Sequence, residues 1–232
     1  RQPEAKRRLH VMMAENYGRL GQWANATGSY AQARAIRDSQ DTHYAAITAL
    51  ANNQAAKPAQ MAPVVNDYIR KFPSRPDRFD RLGHLAAKYE AAKDLANANR
   101  IFAQLLPLSA RTHSAAAAFV RTRGTMPADF AASERTLIDA INRNPDQADK
   151  AYLRYTLAFD VYRDRMKQLE KTRATLRQLV SSSPSNDSFA TNAASWLFSN
   201  ATSDAEFNAD VNRYLAARKT VPEHGNFRGV LA

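Results

Sequence analysis

Residues 10–33, HVMMAENYGRLGQWANATGSYAQA, have the pattern of two helices joined by a tight turn. Apolar residues recur at helical spacing on both sides of the turn at 20–23, with Met13, Ala14 and Tyr17 before it and Ala26, Tyr30 and Ala33 after it. Alanine at 14 and 26 lets two helix backbones approach closely, and aromatic side chains fill the space around the contact. The segment therefore predicts a helical hairpin.

The same kind of hairpin recurs along the chain at a narrow period. Each second helix is marked by a small or medium residue followed four positions later by a bulky one, and the successive marks lie 35, 37, 35, 39 and 38 residues apart. Unrelated helices would not keep such a period, so we predict a repeat array. The six pairs are Ala26/Tyr30, Met61/Val65, Ala98/Phe102, Ser133/Leu137, Thr172/Leu176 and Asp210/Tyr214.

Two hairpins share a more specific pattern. The residues Tyr17, Trp23, Ala26 and Tyr30 of the first correspond to Tyr89, Leu95, Ala98 and Phe102 of the third. This order resembles the tetratricopeptide repeat, a helix-turn-helix unit of about 34 residues. Lys93 stands where that family has a turn glycine, which requires a left-handed backbone or a different turn.

The resemblance implies an all-α, right-handed superhelix of about six hairpins and twelve helices. The predicted units are 4–38, 41–73, 77–108, 109–145, 147–184 and 187–222, followed by a tail or linker at 223–232. The high alanine content and the seven glycines among 232 residues agree with a helical class.

Composition excludes several classes of function. The chain has no cysteine, which excludes disulfides, thiolate zinc sites and iron–sulfur clusters. Its longest apolar run, 115–120, is far shorter than the roughly 20 residues of a membrane span, so we expect a soluble segment. Because the sequence begins at Arg1 rather than Met, we expect it to be part of a larger protein.

Motifs for catalysis are missing from the sequence. It has no phosphate-binding glycine loop, no H-E-x-x-H and no G-x-S-x-G, and its five histidines are scattered. We therefore expect no enzyme activity, no cofactor and no metal. The predicted function is a scaffold that presents a helical groove to a peptide or a partner protein.

In tetratricopeptide repeats the first helix of each hairpin lines the concave groove. The positions that the family uses for clamping a C-terminal carboxylate hold Val11, Glu15, Ala46 and Leu50 here, so the resemblance does not extend to that ligand. By the same correspondence, the side chains expected to point into the groove are Arg8, Glu15, Arg19, His43, Asp80, Glu90, Arg154, Asp164 and Arg165.

The charge pattern supports an alternative function. The net charge is +11, and residues 1–116 carry 17 basic and 9 acidic side chains, against 16 and 13 in the rest. Such an excess predicts binding to nucleic acid or an acidic polysaccharide. The basic groups are Lys6, Arg7 and Arg8 near the start, and a patch of Arg70, Lys71, Arg75, Arg78 and Arg81, which could equally be solvated helix ends.

An aromatic stripe in the fifth unit also has two interpretations. Tyr152, Tyr155, Phe159 and Tyr162 recur at three and four residues, the spacing of a helix face. These rings could stack on bases or sugars, with Arg154 and Arg163 beside them. We favour packing against the next hairpin, because every helix of a repeat array has to bury such a face.

Overall fold

A computed structural model describes residues 2–108, 112–123, 127–183 and 187–217, with the backbone alone for Thr112, His113 and Pro127. Over these residues the chain is all-α and has twelve α-helices, which confirms the predicted class and helix number. The predicted tail, 223–232, lies outside the described residues. The helices are α1 (Gln2–Arg19), α2 (Trp23–Ile36), α3 (Gln40–Asn52), α4 (Pro58–Lys71), α5 (Arg78–Ala91), α6 (Leu95–Leu105), α7 (Thr112–Thr122), α8 (Pro127–Arg143), α9 (Gln147–Thr156), α10 (Leu169–Ser182), α11 (Ser188–Ser199) and α12 (Asp204–Ala217).

The helices pack against their neighbours in sequence order within two compact units. Unit 1 is Arg1–Phe102 and unit 2 is Ala103–Ala232. In unit 1, α3 contacts α1 and α2 before it and α4 and α5 after it. In unit 2, α9 contacts α7 and α8 before it and α10 and α11 after it. A helix thus contacts the next one and the next but one, as in a helical repeat array.

The six marker pairs lie in the cores, as the predicted register requires. None of the twelve residues is more than 6% exposed. Where the smaller member is polar, its hydroxyl bonds to its own helix: Ser133 Oγ donates to the Asp129 carbonyl at 2.9 Å, and Thr172 Oγ1 to the Gln168 carbonyl at 3.0 Å. Burial of these hydroxyls therefore leaves no donor unsatisfied.

The first turn is fixed by two glycines. A Cβ on Gly18 would lie 3.0 Å from the Trp23 ring, so α1 and the start of α2 approach too closely for a side chain there. Gly21 has φ +71°, the left-handed region. The amide of Gly21 donates to the Gly18 carbonyl, and the amide of Gln22 to the Tyr17 carbonyl at 2.8 Å. These two bonds form a Schellman motif.

The third hairpin builds the same turn without a glycine. Lys93 has φ +63°, and its amide bonds to the Glu90 carbonyl at 3.0 Å, while the Asp94 amide bonds to the Tyr89 carbonyl at 2.9 Å. Of the two options that the sequence left open at Lys93, a left-handed backbone or a different turn, the structure has the left-handed backbone. A non-glycine residue in this region carries a strain of about 1–2 kcal/mol.

The marker residue Asp210 does not fit a small apolar position, and the structure supplies the reason. Its buried carboxylate accepts hydrogen bonds from Arg177 at 2.8 and 2.9 Å and from Arg213 at 2.8 Å. Arg177 also donates to Glu206 at 2.6 Å, and these hydrogen bonds raise the pKa of Arg177 further. The ion pairs join α10 to α12 and offset the desolvation of Asp210.

The first helix of the fifth hairpin changes its winding. After α9 the chain continues as a π-helix over Leu157–Arg163. The wider turn continues beyond it, because the Asp164 amide bonds to the Phe159 carbonyl at 3.0 Å, five residues back. Such turns accommodate an extra residue in a helix. The segment lies in the longest interval between markers, the 39 residues from Ser133 to Thr172.

Replacing Lys93 with glycine should stabilise the protein. We expect Lys93→Gly to raise the free energy of unfolding in urea by about 0.5–1 kcal/mol, because the strain removed exceeds the added backbone entropy. The matched control is Ala92→Gly, at φ −78°, which should lower that free energy by up to about 1 kcal/mol. A loss of stability in both variants would contradict the left-handed assignment.

The buried ion pair should respond differently to the loss of its two partners. Arg177→Ala leaves the Asp210 carboxylate buried with less compensation, so the free energy of unfolding should fall by about 2 kcal/mol. Asp210→Ala restores the small apolar residue of the repeat and should change it by less than about 1 kcal/mol. Thermal or urea unfolding measures both changes. Equal losses of unfolding free energy in Arg177→Ala and Asp210→Ala would contradict the prediction.

Candidate functional site

Unit 1 has a groove between α3 and α5, which we call the α3–α5 groove. Its volume is about 720 Å³, and its walls are the end of α3, the connection to α4 and the second half of α5. Pro58 and the polar residues Asn52, Gln54, Lys57, His84 and Lys88 lie among six alanines. The alanines, which leave room for the side chains of a ligand, are Ala51, Ala55, Ala56, Ala87, Ala91 and Ala92.

Lys88 is the most unusual charged group of this groove. Its ammonium donates a hydrogen bond to the Asn53 carbonyl, and within the described residues no carboxylate pairs with it. Burial lowers the pKa of Lys88, because desolvation disfavours the charged form. The Asn53 carbonyl also accepts a bond from the Ala56 amide at 3.2 Å. The groove therefore contains a partly buried cation without a counterion.

A second, smaller groove lies between α1 and α3, and we call it the α1–α3 groove. Its volume is about 340 Å³. Glu15 and Arg19, both predicted groove residues, line it together with Trp23 and Ala49. Asn52 lines both grooves, so the two meet at that residue. The two grooves are therefore adjacent on unit 1.

The other predicted groove residues of unit 1 lie in different surroundings. Arg8 is exposed on α1, on the same flank as Glu15 and Arg19, and its Nε donates to Glu4 at 3.2 Å. Asp80 and Glu90 are half-buried on α5. The structure thus brings Glu15 and Arg19 together in one groove, whereas Arg8, Asp80 and Glu90 do not line either groove.

Two of the three predicted residues of unit 2, Asp164 and Arg165, make internal contacts. Asp164 is exposed and accepts hydrogen bonds from Arg163 at 2.6 and 2.9 Å. Arg165 donates to the Val120 carbonyl at 2.6 Å, near the end of α7, where a cation is favourable for the helix dipole. Arg154 is half-buried, and burial lowers its pKa.

His43 is not a surface residue, because it is fully buried. Its Nε2 lies 2.7 Å from Asp38 and 3.7 Å from Asp67, and its ring packs on Phe72 with centroids 5.6 Å apart. Desolvation lowers the pKa of His43 in spite of these carboxylates. The residue joins α3 to α4 inside the core and is unavailable to a partner.

Most side chains of the predicted basic patch form ion pairs with carboxylates of the same chain. Arg70 pairs with Asp67 at 2.5 Å, and Lys71 pairs with Asp38 and, at 3.1 Å, with Asp67. Burial alone would raise the pKa of Asp67, but hydrogen bonds from Arg70 and Lys71 hold it below its ordinary value. Arg70 and Lys71 therefore belong to a compact network with Asp38 and Asp67 rather than to a free cationic surface.

The rest of the patch is divided between ion pairs and ring contacts. Arg75 and Arg81 both lie 3.7 Å from Asp77. Arg81, which the sequence suggested as a surface group, is buried, and its guanidinium lies 4.0 Å from the centroid of the Tyr44 ring. Arg78 lies over the Phe79 ring.

Near the chain start, Arg7 and Arg8 both bond to Glu4. The bond from Arg7 is the main cause that lowers the pKa of Glu4 to about 2, against an opposing effect of burial. Lys6 is exposed on the same helix. This basic cluster is thus partly neutralised as well.

The aromatic stripe of the fifth hairpin packs against the next one, which is the interpretation we favoured. Tyr152 and Tyr155 contact Phe189 of α11 with ring centroids 4.9 and 5.3 Å apart, and Phe159 contacts Trp196 at 5.9 Å. Edge and tilted contacts of this kind are typical of protein cores.

The sequence prediction missed the residues of the α3–α5 groove. The available signal was the run of small residues on α5, where Ala87 and Ala91 follow His84 at helical spacing, with Lys88 between them. Over the described residues, no group of three potential metal ligands occurs, and none of the helices combines the length and hydrophobicity that a membrane span needs.

The buried His43 predicts a loss of stability at mildly acidic pH. Because its pKa is lowered by folding, the unfolded chain binds more protons below about pH 6.5, so the free energy of unfolding should fall as the pH falls from 7.5 to 5.5. Asp38 and Asp67 stay ionised over this range, since their pKa values are also lowered.

Urea unfolding at several pH values measures the effect. His43→Gln, which can still donate to Asp38, should weaken the pH dependence, whereas His84→Gln, at an exposed position, should keep most of it. A pH dependence that is unchanged by His43→Gln would show that other groups cause it.

Comparisons with known proteins identify no relative of this chain. The chain matches no protein-family model, and neither the curated proteins nor the solved structures give a match. The two joined grooves of unit 1 are therefore the features from which a function can be inferred.

Proposed function

We propose that this chain is a non-catalytic interaction module of tetratricopeptide-like repeats that binds a peptide or partner helix in the joined grooves of unit 1. The Schellman turns after α1 and α5, the six buried marker pairs and the packing of α3 and α9 on the two helices that follow each of them support the repeat assignment. The first helices of three successive hairpins provide the binding surface.

The observation that carries the proposal is the environment of Lys88. A cation beside a roomy alanine-lined groove, held by one backbone carbonyl and without a carboxylate, is electrostatically incomplete. An acidic side chain or a terminal carboxylate of a bound peptide would complete it by a charge-assisted hydrogen bond. The apolar walls would bury the neighbouring side chains of the ligand, as in other peptide-binding grooves.

The alternative function, binding of nucleic acid or an acidic polysaccharide, has weaker support. Four of the five residues in the predicted basic patch form ion pairs with Asp38, Asp67 or Asp77. A phosphate would have to displace these carboxylates before it could gain the same contacts. We therefore prefer a peptide ligand, and the salt dependence of heparin binding separates the two functions.

Selection from a random 16-residue peptide library displayed on phage tests the proposal. We expect peptides that contain an acidic residue to bind with micromolar dissociation constants, measured by fluorescence anisotropy. Lys88→Gln should weaken their binding about tenfold, because the charge-assisted bond is lost. Lys150→Gln, a half-buried lysine of unit 2, is the matched control and should bind as the unmodified protein does.

A second variant tests the groove without altering the charge. Ala91→Trp should fill the α3–α5 groove and lower peptide affinity by about tenfold or more, whereas Ala59→Trp, at an exposed position of α4, should not. Circular dichroism checks that the variants fold. Equal affinities for all four variants would refute the proposed site, and retention on heparin well above about 0.15 M salt would support a polyanion ligand instead.

A further inference from the structure

The helix α1 has an apolar stripe on the side opposite its core contacts. Ala14 and Gly18 are buried, whereas Leu9 is 54% and Met12 60% exposed, and both lie on the opposite face. Ala5 and Asn16 extend the same stripe and are exposed too. Large apolar side chains in such a row on a helix are typical of an interface with another helix.

The order of the stripe fits a second copy of the same helix. Its residues, Ala5, Leu9, Met12 and Asn16, are separated by four, three and four positions, so their spacing is the same from either end of the stripe. In an antiparallel pair, each Leu9 faces Met12 of the other copy in two central layers, and each Ala5 faces Asn16 in two outer layers. This is the self-complementary contact that a two-fold axis requires.

Charge selects the antiparallel direction. Arg8 and Glu15 lie on the same flank of the stripe, and both are exposed. In the antiparallel pair, Arg8 of each copy lies beside Glu15 of the other, which gives two symmetric ion pairs. In a parallel pair, Arg8 would face Met13 and Glu15 would face Leu20, so neither charge would gain a counterion across the interface.

We propose that α1 forms an antiparallel, two-fold symmetric dimer through Ala5, Leu9, Met12 and Asn16, flanked by Arg8–Glu15 ion pairs between copies. One helix from each copy buries less than the roughly 800 Å² per partner of a standard interface. The dimer is therefore weak, with a dissociation constant above about 10 μM. Leu9 and Met12 lie outside both grooves, whereas Glu15 also lines the α1–α3 groove, so the dimer and the proposed peptide site share that one residue.

Sedimentation equilibrium of the full chain tests the association. Between about 10 μM and 1 mM the average mass should rise from 25.8 kDa towards twice that value. Leu9→Glu should keep the protein monomeric over the whole range. Leu169→Glu, at a leucine of unit 2 that is 47% exposed, is the matched control and should still dimerise. A wild-type protein that stays monomeric, or equal effects of the two substitutions, would overturn the proposal.

Charge exchange and crosslinking test the direction. Arg8→Glu and Glu15→Arg should each weaken the dimer about fivefold, and the double variant should recover the original affinity. Because the chain has no cysteine, Leu9→Cys and Met12→Cys proteins can be mixed and oxidised. The antiparallel pair predicts mainly the mixed disulfide; equal or greater amounts of the two homodimeric disulfides would exclude it.

Discussion

The structure depends on the burial of one position in the second helix of each hairpin. That position holds alanine in the first and third hairpins, and it stays buried even where it holds serine, threonine or aspartate. Each polar replacement has a local partner: the hydroxyls bond to their own helix, and Asp210 bonds to two arginines. The geometry of the contact is thus kept while its chemistry varies, which explains how a repeat can lose its sequence signature and keep its packing.

This constraint also explains which features were predictable. The marker spacing and the number of helices follow from local patterns, because helix periodicity is set by neighbouring residues, whereas at Lys93 the sequence left two turn geometries open. The π-helical segment was not predicted. Its only trace in the sequence is an interval of 39 residues, which a longer turn would explain equally well.

The candidate site was harder to predict than the fold, since it depends on which side chains meet across hairpins. Position within a repeat placed Glu15 and Arg19 in a groove, but it also suggested His43, whose burial among Asp38, Asp67 and Phe72 comes from contacts between α3 and α4 and the segment before them. Lys88 was missed because a sequence does not show which groups surround a lysine, and among the described residues no carboxylate pairs with this one. Charge counting also could not show that most cations of the basic patch have a carboxylate beside them.

The π-helical segment has a consequence for how such proteins diverge. The insertion of one residue into a helix would ordinarily rotate every later side chain of that helix by about 100° and misalign the hairpins that follow. A local widening of the backbone at 157–163 confines that rotation to a single turn, and the marker residue Thr172 is still buried in its normal place. A π-helical segment thus gives an array of this kind a second place, besides the connections between helices, in which an extra residue can be accommodated.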